Sequence, residues 1–180
     1  MSKKNKHILL GVAGSIAAYK AGDIIRRLQE KSFDVTVIMT RGAEAFITPL
    51  TLATLSGRPV HRDVKDDASV WSMPHLALAH AAEAVLIAPA TANVIAKLAH
   101  GFADDILTCT VISTRAPILI APAMHTEMFE NTLVQDNCRR LKAAGMRFIG
   151  PVKGKLANGE TGEGHLAQTE DIVRAVLKVL

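Results

Sequence analysis

The chain has 180 residues, 49% of them hydrophobic, enough for one compact domain with a sizeable core. Its net charge of +4 is scattered apart from Lys3, Lys4 and Lys6, and aromatics are only 4%, so the basic, aromatic-laced face that nucleic acid requires is missing. No apolar run approaches the ~18 residues of a membrane span, and the N-terminus is too polar for a signal peptide. Cys109 and Cys138 show neither CxxC nor Cys/His metal spacing. The expectation is a cytoplasmic, soluble protein with no metal, no nucleic acid and no membrane partner.

HILLGV (7–12) reads as a first strand that ends at a tight turn, AGS, before a helix over 16–31 with charges on its outer side. DVTVIMT (34–40) is a second strand, and a short helix follows that Gly57 stops. The polar, irregular stretch 58–74 reads as a surface loop long enough to have a function. A strand over 84–90, helices over 91–101 and 104–114, a strand over 117–124, a helix over 132–144 and a strand beginning RFIG complete the alternation. Residues 151–168 carry four glycines without an apolar period and read as a mobile clamp, and a last helix opens at an N-cap Thr169. Alternating strands and helices with few aromatics predict a single α/β domain over 1–180, a doubly wound parallel sheet of Rossmann or flavodoxin type with helices on both faces. Ligands of such sheets sit outside the carboxyl ends of the strands.

Polar groups cluster at those ends. GVAGSIAAYK (11–20) puts Gly14 and Ser15 between strand and helix, where amides and a hydroxyl suit a phosphate, although the stretch is neither GxGxxG nor a Walker A sequence. Thr40, Thr91 and Asn93 follow the second strand and the strand at 84–90, within reach of one phosphate-bearing ligand. His75 follows Pro74 ahead of that strand, whereas His80, three residues before Glu83, suits a solvated helix face. His125 lies at the end of PILIAPAM, with Met124 and Met128 as adaptable apolar walls. HTEMF lacks the second histidine of HExxH, which excludes that zinc motif, and no GxSxG elbow is present. LANGETGEG (156–164) reads as a lid that orders over substrate.

GSIAAYK, the histidine ahead of a strand ending APATAN, PAMHTEM and LANGETGEGHLA occur in the order found in the homo-oligomeric flavin-containing cysteine decarboxylases, and the chain resembles that family from about His7 to Ile172. The resemblance implies noncovalent FMN with its phosphate near Gly14, Ser15 and Ile16, and further contacts at Thr40, Thr91, Ala92, Asn93 and Ala123. It implies homotrimers or dodecamers of trimers, with flavin at the contact between subunits. It assigns catalysis to His75, and substrate binding to His125 and Met128 in a block that usually carries asparagine where His125 stands. The family's ACG clamp falls on Ala157, Asn158 and Gly159, so Asn158 occupies the catalytic position of a cysteine that helps reduce an enethiol, and an amide cannot replace that thiol. The activity implied is FMN-dependent decarboxylation of 4'-phosphopantothenoylcysteine to 4'-phosphopantetheine in coenzyme A biosynthesis, in a domain that many bacteria fuse to the phosphopantothenate-cysteine ligase. A lantibiotic-type peptidyl-cysteine decarboxylase, which needs no clamp cysteine, is the alternative. Flavin prenyltransferases of the same fold rank below it, and a regulatory flavoprotein lacks here the long acidic extensions of such relatives.

Overall fold

In the computed structural model, residues 5–62, 73–155, 159 and 161–180 are described. Six parallel strands form one sheet: β1 (Lys6–Val12), β2 (Phe33–Met39), β3 (Val60–His61), β4 (Ala84–Ala90), β5 (Ile118–Pro122) and β6 (Arg147–Phe148). Their order, β3-β2-β1-β4-β5-β6, is the Rossmann arrangement, with the switch point between β1 and β4. Eight α-helices among the described residues cover the sheet: α1 (Ala21–Glu30), α2 (Pro49–Ser56), α3 (Pro74–Ala81), α4 (Ala92–Ala99), α5 (Ile106–Ser113), α6 (Thr126–Glu130), α7 (Thr132–Ala143) and α8 (Thr169–Leu177).

The near-continuous apolar runs in the central strands reflect burial on both faces. Ile8, Leu10 and Val12 of β1 point with Leu86 of β4 into a core shared with α1, α2 and α8. The intervening Leu9, Val85 and Ile87 point the other way, into a core shared with α3, α4, α5 and α7. Leu86 is wholly buried. Removing such a side chain to alanine costs about 2–5 kcal/mol.

Three departures from the expected pattern have local causes. The first helix begins as a 3-10 turn over Ile16–Lys20, capped by Ser15, before α1 proper starts at Ala21. The stretch after Gly57 contributes β3, a two-residue edge strand paired with Val37 and Ile38, while residues 63–72 of the expected loop lie outside the described ones. The cap of α8 is Gln168, which makes no side-chain capping bond, and Thr169 is already the first helical residue.

The largest departure is the glycine-rich segment, expected to be an irregular clamp. It is an antiparallel hairpin of β7 (Val152–Lys155) and β8 (Thr161–His165). Its glycines are packing positions. A β-carbon on Gly162 would overlap Thr126 Oγ1, and one on Gly164 would overlap the Met124 carbonyl oxygen. A β-carbon on Gly154 would lie 3.0 Å from both Cβ and Cγ of His165. The Met124 amide donates to the Gly164 carbonyl at 3.0 Å, fastening β8 to the turn after β5.

Candidate functional site

The carboxyl ends of β1, β2, β4 and β5 surround a cavity of about 1000 Å³, closed on one side by the hairpin. Chain direction explains why: in a parallel sheet every strand delivers its exit loop to the same edge. Three helix starts near the cavity carry a bonded polar cap. Ser15 Oγ accepts from the Ala17 amide at 3.3 Å. Thr91 Oγ1 accepts from the Val94 amide at 3.4 Å. At α5, Asp105 Oδ1 accepts from the Thr108 amide at 2.9 Å while Thr108 Oγ1 accepts from the Asp105 amide at 3.3 Å, a reciprocal capping box.

Gly14, Ser15, Ile16, Thr40, Thr91, Ala92, Asn93 and Ala123 all line this cavity, as do His125 and Met128. Gly14 allows two exit loops to meet: a β-carbon there would lie 2.7 Å from the carbonyl carbon and oxygen of Gly42. The Ser15 amide is already bonded to the Ala13 carbonyl at 2.9 Å, so the Ser15 hydroxyl and the Gly14 and Ile16 amides are left to donate to an anion at this turn. His125 caps the short helix α6, its Nδ1 3.9 Å from Glu127 Oε2.

Two of the expected site residues stand apart from the cavity, and two lie outside the described ones. Gly159, at a positive φ of 88°, does not line it, and Ala157 and Asn158 are outside the described residues. His75, in the first turn of α3, does not line it either, although α3 packs on α5, whose cap Asp105 does. The His75 Nδ1 is buried without a hydrogen-bond partner.

Sequence reasoning did not find Tyr19, Lys20, Arg41, Phe46, Lys97 and Asp105 on the cavity wall. Tyr19 and Lys20 follow Ser15 by about one turn, a spacing that was available as a signal. Lys97 and Asp105 come from different helices, and only the fold brings them together. The Lys97 ammonium lies 2.8 Å from Asp104 and 2.9 Å from Asp105. Hydrogen bonds from Lys97 to Asp104 and then Asp105 raise its pKa. Burial alone would push the Asp105 carboxyl up, but the Thr108 amide, the Lys97 ammonium and the Thr108 hydroxyl outweigh it and hold that carboxyl below its ordinary value. Lys20, Arg41 and Lys155 form no ion pair among the described residues, so the remaining charge on the wall is positive. That field suits an anionic ligand.

Ile16 (59% exposed), Tyr19 (63%), Phe46 (45%) and Met128 (50%) form an apolar rim around the cavity. Among the described residues no helix is long and apolar enough to cross a membrane, and no cluster of three or more His, Cys, Asp or Glu side chains suits a metal.

Known proteins share this architecture and sequence. The chain is 45% identical over 168 residues to the coenzyme A biosynthesis bifunctional protein CoaBC of Vibrio vulnificus, covering 93% of this chain and 42% of that protein. It therefore spans less than half the length of that relative. It is 44% identical over 173 residues to a probable phosphopantothenoylcysteine decarboxylase of Streptococcus mutans, covering 95% of this chain and 97% of that one. Among solved structures, a cysteine-to-serine variant of PPC decarboxylase complexed with pantothenoylaminoethenethiol superposes with a TM-score of 0.86 at 29% identity, over 97% of each chain. The match to the flavoprotein family extends over residues 1–180, and with the doubly wound sheet and its strand-end cavity it establishes that the chain belongs to that family and carries a flavin site.

Proposed function

We propose that the protein is an FMN-dependent decarboxylase of 4'-phosphopantothenoylcysteine, acting in coenzyme A biosynthesis. The observation that carries this reading is the convergence of polar residues from four strand ends on one cavity whose wall is positively charged. The likeness over nearly the full length to the Streptococcus relative supports the substrate assignment.

The residues present fit FMN. Gly14, Ser15 and Ile16 would hold its phosphate at the start of the first helix. Thr40, Thr91, Ala92, Asn93 and Ala123 would hold the rest of the cofactor. When bound, the flavin supplies the redox chemistry that activates the cysteinyl side chain for loss of carbon dioxide. The protein's contribution is orientation and electrostatics. Substrate and product carry a phosphate, and the substrate adds a carboxylate, so Lys20, Arg41 and Lys155 draw the substrate in. His125 donates to the carboxylate in the role of the asparagine usual at that place in the family. Met128 gives the cysteinyl arm an apolar wall.

His75 completes the chemistry from a neighbouring copy of the chain. Two observations support this: the histidine is absent from its own chain's cavity, and the rim of Ile16, Tyr19, Phe46 and Met128 is apolar. Covering such side chains stabilises by roughly 1.5–3 kcal/mol each when burial is complete. A homotrimer, or a dodecamer of trimers, meets both needs. Association or fusion with phosphopantothenate-cysteine ligase is consistent with the greater length of the Vibrio relative.

The test is to load the purified protein with FMN and analyse its products from 4'-phosphopantothenoylcysteine by mass spectrometry. The expected product is 4'-phosphopantetheine. No carbon dioxide release from this substrate, with release from a peptide ending in cysteine, would replace the reading with the peptidyl-cysteine alternative.

A further inference from the structure

We propose that His165 is the proton donor to the substrate carbon that loses the carboxylate, an assignment that rests on the decarboxylase reading above. Net decarboxylation replaces a C–CO2⁻ bond with a C–H bond. The C–C bond breaks, its electron pair stays on the carbon, and one proton must arrive there.

The cavity offers few groups that release a proton near neutrality. Hydroxyl, lysine and arginine side chains, which make up most of the polar wall, are as classes weak acids. Imidazole is the side chain suited to that range, and among the described residues the chain's own cavity wall has two, His125 and His165, beside the His75 that a neighbouring copy brings to the site for the oxidative step. His125 is placed to hold the carboxylate. His165 is the second, on the opposite side of a single backbone hydrogen bond: Met124, the neighbour of His125, donates to Gly164, the neighbour of His165, at 3.0 Å.

The His165 ring is fixed in a form suited to proton transfer. Its Nδ1 lies 2.8 Å from the Leu166 carbonyl oxygen. A carbonyl has no proton to offer, so Nδ1 carries the hydrogen and the neutral ring keeps Nε2 as an acceptor. Nε2 has no hydrogen-bond partner among the described residues. The ring is also seated against the bare Cα of Gly154, where any side chain would press on it. With both its bond and its packing satisfied, the ring takes a proton at Nε2 from solvent and gives it to the substrate carbon without turning. The imidazolium loses Nε2–H, the carbon gains C–H, and Nδ1–H stays on Leu166 throughout.

The experiment compares the FMN-loaded full chain with His165→Asn and His165→Gln, measuring carbon dioxide and products together. In a single turnover with enzyme in excess, carbon dioxide release is expected to stay within about threefold of the wild type, because the C–C bond breaks before the proton arrives, whereas steady-state formation of the fully reduced product is expected to fall. The fraction of product leaving two hydrogens short, as the enethiol, is expected to rise by about tenfold or more, at the low end of what positioned proton donors contribute; the two electrons it lacks would remain on the flavin, which dioxygen in the aerated assay reoxidises. Wild-type product ratios in both variants would overturn the assignment while leaving the decarboxylase reading intact. Failure of the wild type to release carbon dioxide would overturn both. A readout independent of turnover is the long-range ¹H–¹⁵N spectrum of the flavin-free protein, in which the neutral His165 ring is expected as the Nδ1–H tautomer. An Nε2–H tautomer there would overturn the geometry on which the assignment stands.

Discussion

The ammonium of Lys97 and the carboxylate of Asp105 meet at 2.9 Å on the cavity wall, although one belongs to α4 and the other caps α5. Their pKa values move apart, with Lys97 raised and Asp105 lowered. A lowered carboxyl contributes stability that is present above its ordinary pKa of 3.8 and is lost as pH falls through the folded value. A raised ammonium contributes stability that is present below its ordinary pKa of 10.5 and is lost as pH rises through the folded value. Asp105→Asn keeps a capping oxygen but removes the charge. It is expected to cost about 1–2 kcal/mol at neutral pH, roughly 2–8 °C in Tm. Thermal melts should show the gap to wild type closing as pH falls below the ordinary carboxylate range, because wild-type Asp105 then also becomes neutral.

Gly14 and Gly42 face each other, yet they are not equivalent. A β-carbon on Gly14 meets the Gly42 backbone at 2.7 Å, whereas one on Gly42 meets nothing closer than the Gly14 Cα at 3.6 Å. Gly14→Ala is therefore expected to push the two exit loops apart and weaken flavin binding by about tenfold or more, a cost of about 1.4 kcal/mol. Gly42→Ala is expected to leave Tm near wild type. Flavin fluorescence titrations and melts of the two variants provide the check, and equal effects would refute the asymmetry.

Ser15 offers a case in which stability and binding should rank differently. Its Oγ caps the first helix, a role that aspartate fills and alanine does not. Ser15→Ala should lose about 0.5–2 kcal/mol of stability while Ser15→Asp loses little. If the FMN phosphate sits at this turn, the order for flavin affinity reverses, because a second anion repels the first. Matching orders in the two measurements would place the phosphate elsewhere.

His75→Asn should leave flavin content and Tm close to wild type and lower turnover by about 100-fold or more. Its separation from the cavity of its own chain allows a sharper experiment. Refolding a mixture of His75→Asn and Ser15→Asp chains should recover activity that neither variant has alone, since a mixed oligomer contains some sites with an intact histidine and an intact cavity. No recovery, in an oligomer shown by mass spectrometry to be mixed, would mean that His75 acts within its own chain.

The strands and helices were legible in the sequence wherever hydrophobic period carried the signal. AVLIAPA is buried at every position and reads as a core strand with no help from context. Helix caps were legible through single residues, as with Gly57, which takes a positive φ of 70° at the end of α2. The hairpin was not legible, because β7 and β8 pack through missing side chains. Gly154, Gly162 and Gly164 are there to admit His165, Thr126 and Met124, and a run of glycines reads as a loop when those neighbours are unknown. Lys97 was missed for a related reason: its partners lie seven and eight residues away, beyond the end of α4 at Ala99, where helical period no longer tells which side chains meet.

The seating of β8 on the turn after β5 separates what the hairpin must preserve from what it is free to vary. Its attachment is written in backbone and in Gly162 and Gly164, and uses no side chain between Lys155 and Thr161. That division makes the hairpin an exchangeable cassette: segments from other family members grafted between Lys155 and Thr161, retaining Gly154, Gly162 and Gly164, are expected to leave the seating of β8 unchanged.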